Sequence, residues 1–187
     1  MKYNKVIFLD IDGVINLATE NFDRFNNLSM ANLEQIIKET DAYIIISSSW
    51  RTAMYKMEVA LKEHGFTDFL WSKVKGITIR GYHETIEGSS LPIVRGNEIK
   101  HWVDRHMSYP WHGSPELKEQ YSLYKEDGSF QKMKTNKLNE NYTYLILDDD
   151  SDMLYEQRNN YIQTDVYKGI TEEVKIKAIE ILNKLKQ

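Results

Sequence analysis

The stretch Val6-Ile-Phe-Leu-Asp-Ile-Asp-Gly-Val14 decides the fold. Val6 to Leu9 is a short apolar run, β-branched and aromatic, of the kind buried on both faces of a parallel sheet. On an extended chain, residues i and i+2 point the same way, so Asp10 and Asp12 can face one site while Ile11 points into the core. Two clustered carboxylates raise each other's pKa unless a cation lies between them, and Mg²⁺ is the usual hard, oxygen-loving cation. One such carboxylate can attack phosphorus, and the other can shuttle the leaving group's proton. The same short string also suits a strand-end turn in which Asp and Gly only supply turn chemistry.

Two further runs repeat the pattern. Tyr43-Ile-Ile-Ile46 ends in Ser47-Ser48-Ser49-Trp50-Arg51, and Tyr144-Leu-Ile-Leu147 ends in Asp148-Asp149-Asp150, with Asp152 close behind. In open α/β sheets, ligands bind outside the carboxyl ends of the strands, so reactive side chains at three strand ends point to one site. A hydroxyl and the free N–H groups of a helix's first turn can cradle phosphate, and Arg51 adds a forked cation. Read alone, the serines also serve as a helix N-cap, and the acids as a solvated turn. Four carboxylates within five residues of a buried strand end favour a bound cation instead.

Between these runs the apolar spacing is helical. It predicts helices over 29–39, capped by Ser29, over 52–64, over 96–106, and from Thr171 with Val174, Ala178, Leu182 and Leu185 as a stripe. Phe66-Thr-Asp-Phe-Leu-Trp71 is a candidate strand. Strands alternating with helices imply an α/β, Rossmann-like parallel sheet flanked by helices. Residues 108–140 break the alternation with Pro110, Trp111, His112 and Pro115 and carry Lys132, Lys134 and Lys137, so an irregular insertion is expected there within a single domain spanning 1–187. His83, His101, His106 and His112 lack metal-ligand spacing.

Composition narrows the chemistry. The 187 residues contain no cysteine, which excludes disulfide scaffolds, Cys-liganded metals and thiolate nucleophiles. With 24 basic and 28 acidic residues the net charge is -4, unlike a polybasic binder. The N-terminal apolar run is too short for a signal peptide or a membrane span, so the expectation is a cytoplasmic protein with no membrane association.

On these residues the chain resembles the haloacid dehalogenase (HAD) superfamily of Mg²⁺-dependent phosphotransferases. VIFLDIDGV matches its first motif, IIISSS its second and LILDDD its fourth, while Arg95 in RGNEIKHW is the candidate for the third, a basic residue at a helix start. Order and spacing look closest to the phosphatase domains of RNA-repair and polynucleotide kinase–phosphatase proteins. The resemblance implies Asp10 as nucleophile and metal ligand, and Asp12 as general acid/base whose backbone carbonyl joins the metal. It implies Asp149 completing the metal site, with Asp148 orienting it or a bound water. It further implies Ser48 on the phosphoryl group (with Ser47 and Ser49 one residue from that role) and Arg95 neutralising nucleophile and phosphate. Arg51 and Ser49 would contact substrate.

The substrate expectation comes from what is short. Only about 15 residues separate Gly13 from the first helix, and 52–94 must already hold a helix, a strand and a loop, so neither interval has room for a large cap domain. An open site admits a bulky phosphorylated end. Lys132 and Lys134, with Trp111, Tyr121 and Tyr124, offer cations and stacking rings for a nucleic acid, or else those rings bury a loop. The expected function is thus Mg²⁺-dependent hydrolysis of an RNA or DNA 3′-phosphate through an aspartyl-phosphate, alongside a repair kinase or ligase. A nucleotidase, another small-metabolite phosphatase or a non-catalytic binding module are the alternatives.

Overall fold

The computed structural model describes residues 4–18, 24–51, 54–80, 82–84, 90–106 and 142–184. Its strands are β1 (Lys5–Leu9), β2 (Tyr43–Ile46), β3 (Val74–Ile77), β4 (Tyr82–Glu84), β5 (Ser90–Pro92), β6 (Thr143–Asp148) and β7 (Tyr161–Gln163). Its helices are α1 (Asn27–Thr40), α2 (Met54–Glu63), α3 (Asp68–Lys73), α4 (Arg95–His106) and α5 (Glu172–Asn183). Five strands form one sheet in the order β3-β2-β1-β6-β7, and every pairing in it is parallel. β4 and β5 form a separate antiparallel hairpin between β3 and α4. This is the Rossmann-like α/β fold that the strand runs imply.

The period of two along β1 builds both faces of the core. Ile7 and Leu9 enter a cluster with Leu33 and Ile37 of α1, Leu61 of α2, Leu70 of α3 and Ala178 of α5. Val6 and Phe8 enter the opposite cluster with Ile99, Trp102 and Val103 of α4. Phe8 meets the edges of Trp102 and Tyr144 at centroid distances of 5.2 and 5.8 Å, within the range where edge-to-face rings attract. Val6 to Leu9 have no exposure at all. Each such side chain contributes about 1.5–3 kcal/mol of burial, which is why the run has no polar member until Asp10.

Strand order sets the functional face. From β1 the chain runs outward to β2 and β3, then crosses to the other side of β1 to form β6. The switch point therefore lies at the carboxyl end of β1, between β2 and β6, where parallel sheets leave a crevice. Register carries it to the residue: Leu9 pairs with Leu147, and Asp10 N donates to Leu147 O at 3.0 Å. Asp10 and Asp148 are thereby neighbours.

Some boundaries differ from the periodicity. The Phe66–Trp71 segment is not a strand: Thr67 caps α3 by accepting from Leu70 N at 3.3 Å, and the strand is the next segment, β3. A Thr-Asp cap outweighs the aromatic run's β preference. The cap of α1 is Asn26, whose side chain accepts from Ser29 N at 3.0 Å. Ser29 is instead buried, with its Oγ accepting from Ile170 N. Thr171, where the tail helix was expected to begin, is the cap of α5 and accepts from Val174 N at 3.3 Å; Leu185 lies outside the described residues.

Candidate active site

Three strand ends and one helix start converge on a cleft. Asp10 follows β1 and is 5% exposed. Its Oδ1 accepts from Ile11 N at 2.8 Å and lies 3.1 Å from Arg95 Nη1, and Ser48 hydrogen-bonds the carboxylate. Asp148, the last residue of β6, is fully buried. Its Oδ1 accepts from Asp150 N at 3.0 Å. Its Oδ2 lies 3.2 Å from Arg95 Nη1 but has no hydrogen-bond partner.

One oxygen from each of Asp10, Asp148 and Asp149 lies within 4.8 Å of the others. Burial pushes all three carboxyls above the usual range, opposed at Asp10 by the Arg95 guanidinium and by the bonds from Ser48 and Ile11. Asp148 is raised further by the negative charge of Asp10, its next-largest cause. Crowded oxygen-only donors, Asp10 and Asp148 buried and Asp149 half-buried, with an orphaned carboxylate oxygen suit a hard divalent cation, which would remove this repulsion. Gly13 makes the cluster compact. Its φ is +71°, and a Cβ on it would fall 2.4 Å from Asp149 Cγ, so only glycine allows the Asp12–Gly13 turn to press against Asp149.

Asp12 faces the same cleft from the next turn. Asn16 Nδ2 donates to its Oδ1 at 2.6 Å, and Trp50 Nε1 donates to its Oδ2 at 3.0 Å. Ser49 Oγ is at the limit of reach, 3.5 Å from Oδ2. The side chain of Asp12 thus stands outside the three-carboxylate cluster and beside the serine loop.

The three serines have separate tasks. Ser47 Oγ accepts from Thr78 Oγ1 at 3.2 Å, and its carbonyl accepts from Arg95 Nη1. Ser48 is fully buried; besides bonding Asp10, its Oγ accepts from Trp50 N at 3.3 Å. Ser49 is exposed at the cleft.

Arg95 owes its position to the first turn of α4. Its backbone N donates to Asp152 Oδ2 at 2.8 Å. Gly96 permits this docking, because a Cβ there would meet Leu154 N at 2.6 Å. Gln157 then binds Gly96 O at 2.8 Å. The loop after β6 thus anchors the helix that aims Arg95 at Asp10. Arg51 is held differently: its Nη1 donates to Glu98 Oε2 at 2.6 Å and also to Thr78 Oγ1. Both charged side chains of that pair are at most 6% exposed, so their charges offset one another away from water. The Nε of Arg51 has no hydrogen-bond partner.

The sequence-predicted residues Asp10, Asp12, Ser48, Ser49, Arg51, Arg95, Asp148 and Asp149 therefore meet at one cleft. Lys132, Lys134 and the 108–140 insertion, with Trp111, Tyr121 and Tyr124, lie outside the described residues. Sequence reasoning missed Asn16 and Trp50, the donors to Asp12, and Thr78, Glu98 and Arg80. Trp50 and Glu98 stand inside the quoted SSSWR and RGNEIKHW strings, whereas Thr78 and Arg80 follow β3 with no motif around them.

Among the described residues, no helix is long and apolar enough to cross a membrane. No curated protein and no solved structure matches the chain. A family model does, over residues 6–113, from the start of β1 through α4 and past it. That span contains Asp10, Asp12, the serine loop and Arg95, and the parallel pairing of β6 with β1 adds the acidic strand end that lies beyond it. Sheet order, strand-end chemistry and this match agree, and the chain belongs to the family described as the HAD domain in Swiss Army Knife RNA repair proteins.

Proposed function

We propose that the protein is a Mg²⁺-dependent phosphomonoesterase that works through an aspartyl-phosphate on Asp10 and acts on a nucleic-acid 3′-phosphate. The observation that carries this reading is the buried Asp10 carboxylate, placed among Asp148, Asp149 and the Arg95 guanidinium at the sheet's switch point. Asp10, Asp148 and Asp149, with the backbone carbonyl of Asp12, would hold the cation. When bound, it would offset the negative charge of nucleophile and substrate.

The chain's own groups supply the rest. An Asp10 oxygen attacks phosphorus as the bond from phosphorus to the leaving oxygen breaks, and that oxygen takes a proton from Asp12. Water then attacks the same phosphorus, gives its proton to Asp12, and releases inorganic phosphate and free Asp10. Arg95 contacts Asp10 at 3.1 Å and can also reach the phosphoryl oxygens, where the transition state spreads negative charge. Ser48 orients Asp10 through its hydrogen bond. Trp50 and Asn16 hold the Asp12 carboxylate in one orientation, so its proton is delivered in a fixed direction.

The substrate class is supported by membership in a family described by RNA repair and by the small size of the described insertions. Between β3 and α4 these amount to the β4–β5 hairpin. The test is a steady-state comparison of an oligonucleotide 3′-phosphate with nucleoside monophosphates and sugar phosphates. The oligonucleotide should have the highest kcat/KM, by at least about ten-fold, the ratio that one additional charge-assisted contact provides. Equal or better turnover of the small esters would assign the same chemistry to a small-metabolite phosphatase. Failure of all substrates in Mg²⁺ would leave a non-catalytic binding module.

A further inference from the structure

Beside Asp12 the cleft opens into a cavity of about 300 Å³ whose lining includes three arginines: Arg51, Arg80 and Arg95. Two of them are spoken for. Arg51 is paired with Glu98, and Arg95 with Asp10 and Asp148. Arg80 is exposed and has no carboxylate partner among the described residues; its Nη2 donates to Ser49 O at 3.1 Å. That bond occupies a single N–H of a guanidinium with five donors, and leaves its full positive charge facing the cavity mouth.

The location is informative as well as the charge. Ser49, whose carbonyl holds Arg80, extends its hydroxyl to within 3.5 Å of Asp12 Oδ2. Asp12 is the group assigned to protonate the leaving oxygen. Arg80 is therefore linked through Ser49 to the Asp12 side of the site, where the leaving group is protonated, whereas Arg95 reaches the same cavity from Asp10. Pro92 and Ile93 supply an apolar wall to the same cavity, and its two carboxylates are engaged elsewhere, Glu98 with Arg51 and Asp152 with the backbone N of Arg95. An uncompensated fork beside an apolar wall suits a leaving group with an apolar body and an anion of its own.

We propose that Arg80 is a specificity-determining residue that binds a second anionic group carried by the leaving group, one nucleoside away from the phosphate that is removed. The inference rests on the phosphatase reading and deepens it. In an oligonucleotide 3′-phosphate this second anion is the phosphodiester on the 5′ side of the terminal nucleoside. The smallest probe with the same arrangement is a nucleoside 3′,5′-bisphosphate, compared with the corresponding 3′-monophosphate.

The experiment measures kcat and KM for 3′-phosphate release from both nucleotides, in the wild-type protein, Arg80→Gln and Arg80→Lys. The wild type should prefer the bisphosphate by about ten-fold in kcat/KM, with the preference expressed in KM, as expected for a contact equal in ground and transition states. In Arg80→Gln the ratio should fall to about one. Arg80→Lys should restore part of it, since an ammonium keeps the charge without the fork. No preference in the wild type, or a preference that survives Arg80→Gln, would overturn the assignment while leaving the phosphatase reading intact. Hydrolysis of neither nucleotide, with the oligonucleotide also inert, would overturn both.

Discussion

Asp10→Asn should reduce Mg²⁺-dependent phosphate release by about four orders of magnitude or more while the protein stays folded. Removal of a nucleophile that forms the covalent intermediate has losses of this order in other hydrolases. An amide cannot attack phosphorus and is a poor cation ligand, so two roles disappear together. The fold should survive for a local reason. The amide oxygen can still accept from Ile11 N, the bond now made at 2.8 Å by Asp10 Oδ1. The substitution also removes one of the anionic groups that crowd the buried Asp148. Phosphate release and thermal melting, measured on the same preparation, check both halves. Activity within ten-fold of the wild type would remove Asp10 from the nucleophile's role; an unfolded variant would contradict the account of its hydrogen bonding.

Gly13→Ala should also be strongly damaging, although it deletes no functional group. A Cβ at this position would lie 2.4 Å from Asp149 Cγ and 2.6 Å from Asp149 Oδ2, and the backbone φ of +71° is strained for any L side chain. Gly13 is also clamped from behind: Thr164 Oγ1 donates to its carbonyl at 2.9 Å and its own N donates to Asn16 O at 2.7 Å. The turn therefore cannot retreat cheaply, and Asp149 must move. We expect kcat to fall about 100-fold, the order that a displacement near 1 Å costs in a positioned site. Half-saturation should shift to higher Mg²⁺. A Mg²⁺ titration of activity separates this from a simple folding defect, since displaced ligation is partly rescued by more cation and a loss of folded protein is not. An unchanged Mg²⁺ requirement would contradict Asp149 as a ligand.

The legible part of this molecule is the part governed by burial on two faces. Val6–Leu9, Tyr43–Ile46 and Tyr144–Leu147 are uninterrupted apolar runs because central parallel strands meet helices on both sides, and each appears as a strand within a residue of its expected bounds. The edge strands were not legible. Val74–Ile77 contains Lys75 and Gly76, and Tyr161–Gln163 is three residues long, so neither offers a run or an alternation to read. Phe66–Trp71 misleads in the opposite direction: its aromatic content suggests a strand, while a single threonine cap turns its second half into α3.

The site divides along the same line. Residues attached to central strand ends, Asp10, Ser48 and Asp148, are visible because the run that precedes them is visible. Arg95 was located by its helix-start string, but its contact with two carboxylates depends on the packing of Gly96 against Leu154, a tertiary fact. Thr78 and Arg80 enter the site because β3 lies beside β2, which puts the residues after both strands together. Nothing local to either residue encodes that proximity. The buried Arg51–Glu98 pair likewise joins a strand-end loop to α4 across 47 residues of sequence.

The central claim is that Asp10 carries the phosphoryl group in a cation-dependent reaction. Acid quenching during turnover of a radiolabelled phosphomonoester, followed by peptide mapping, tests it most directly. The account predicts a hydroxylamine-sensitive acyl phosphate on the peptide containing Asp10, formed with Mg²⁺ and abolished by a chelator together with phosphate release. Label on any other residue, or phosphate release that continues undiminished in the chelator, would contradict it.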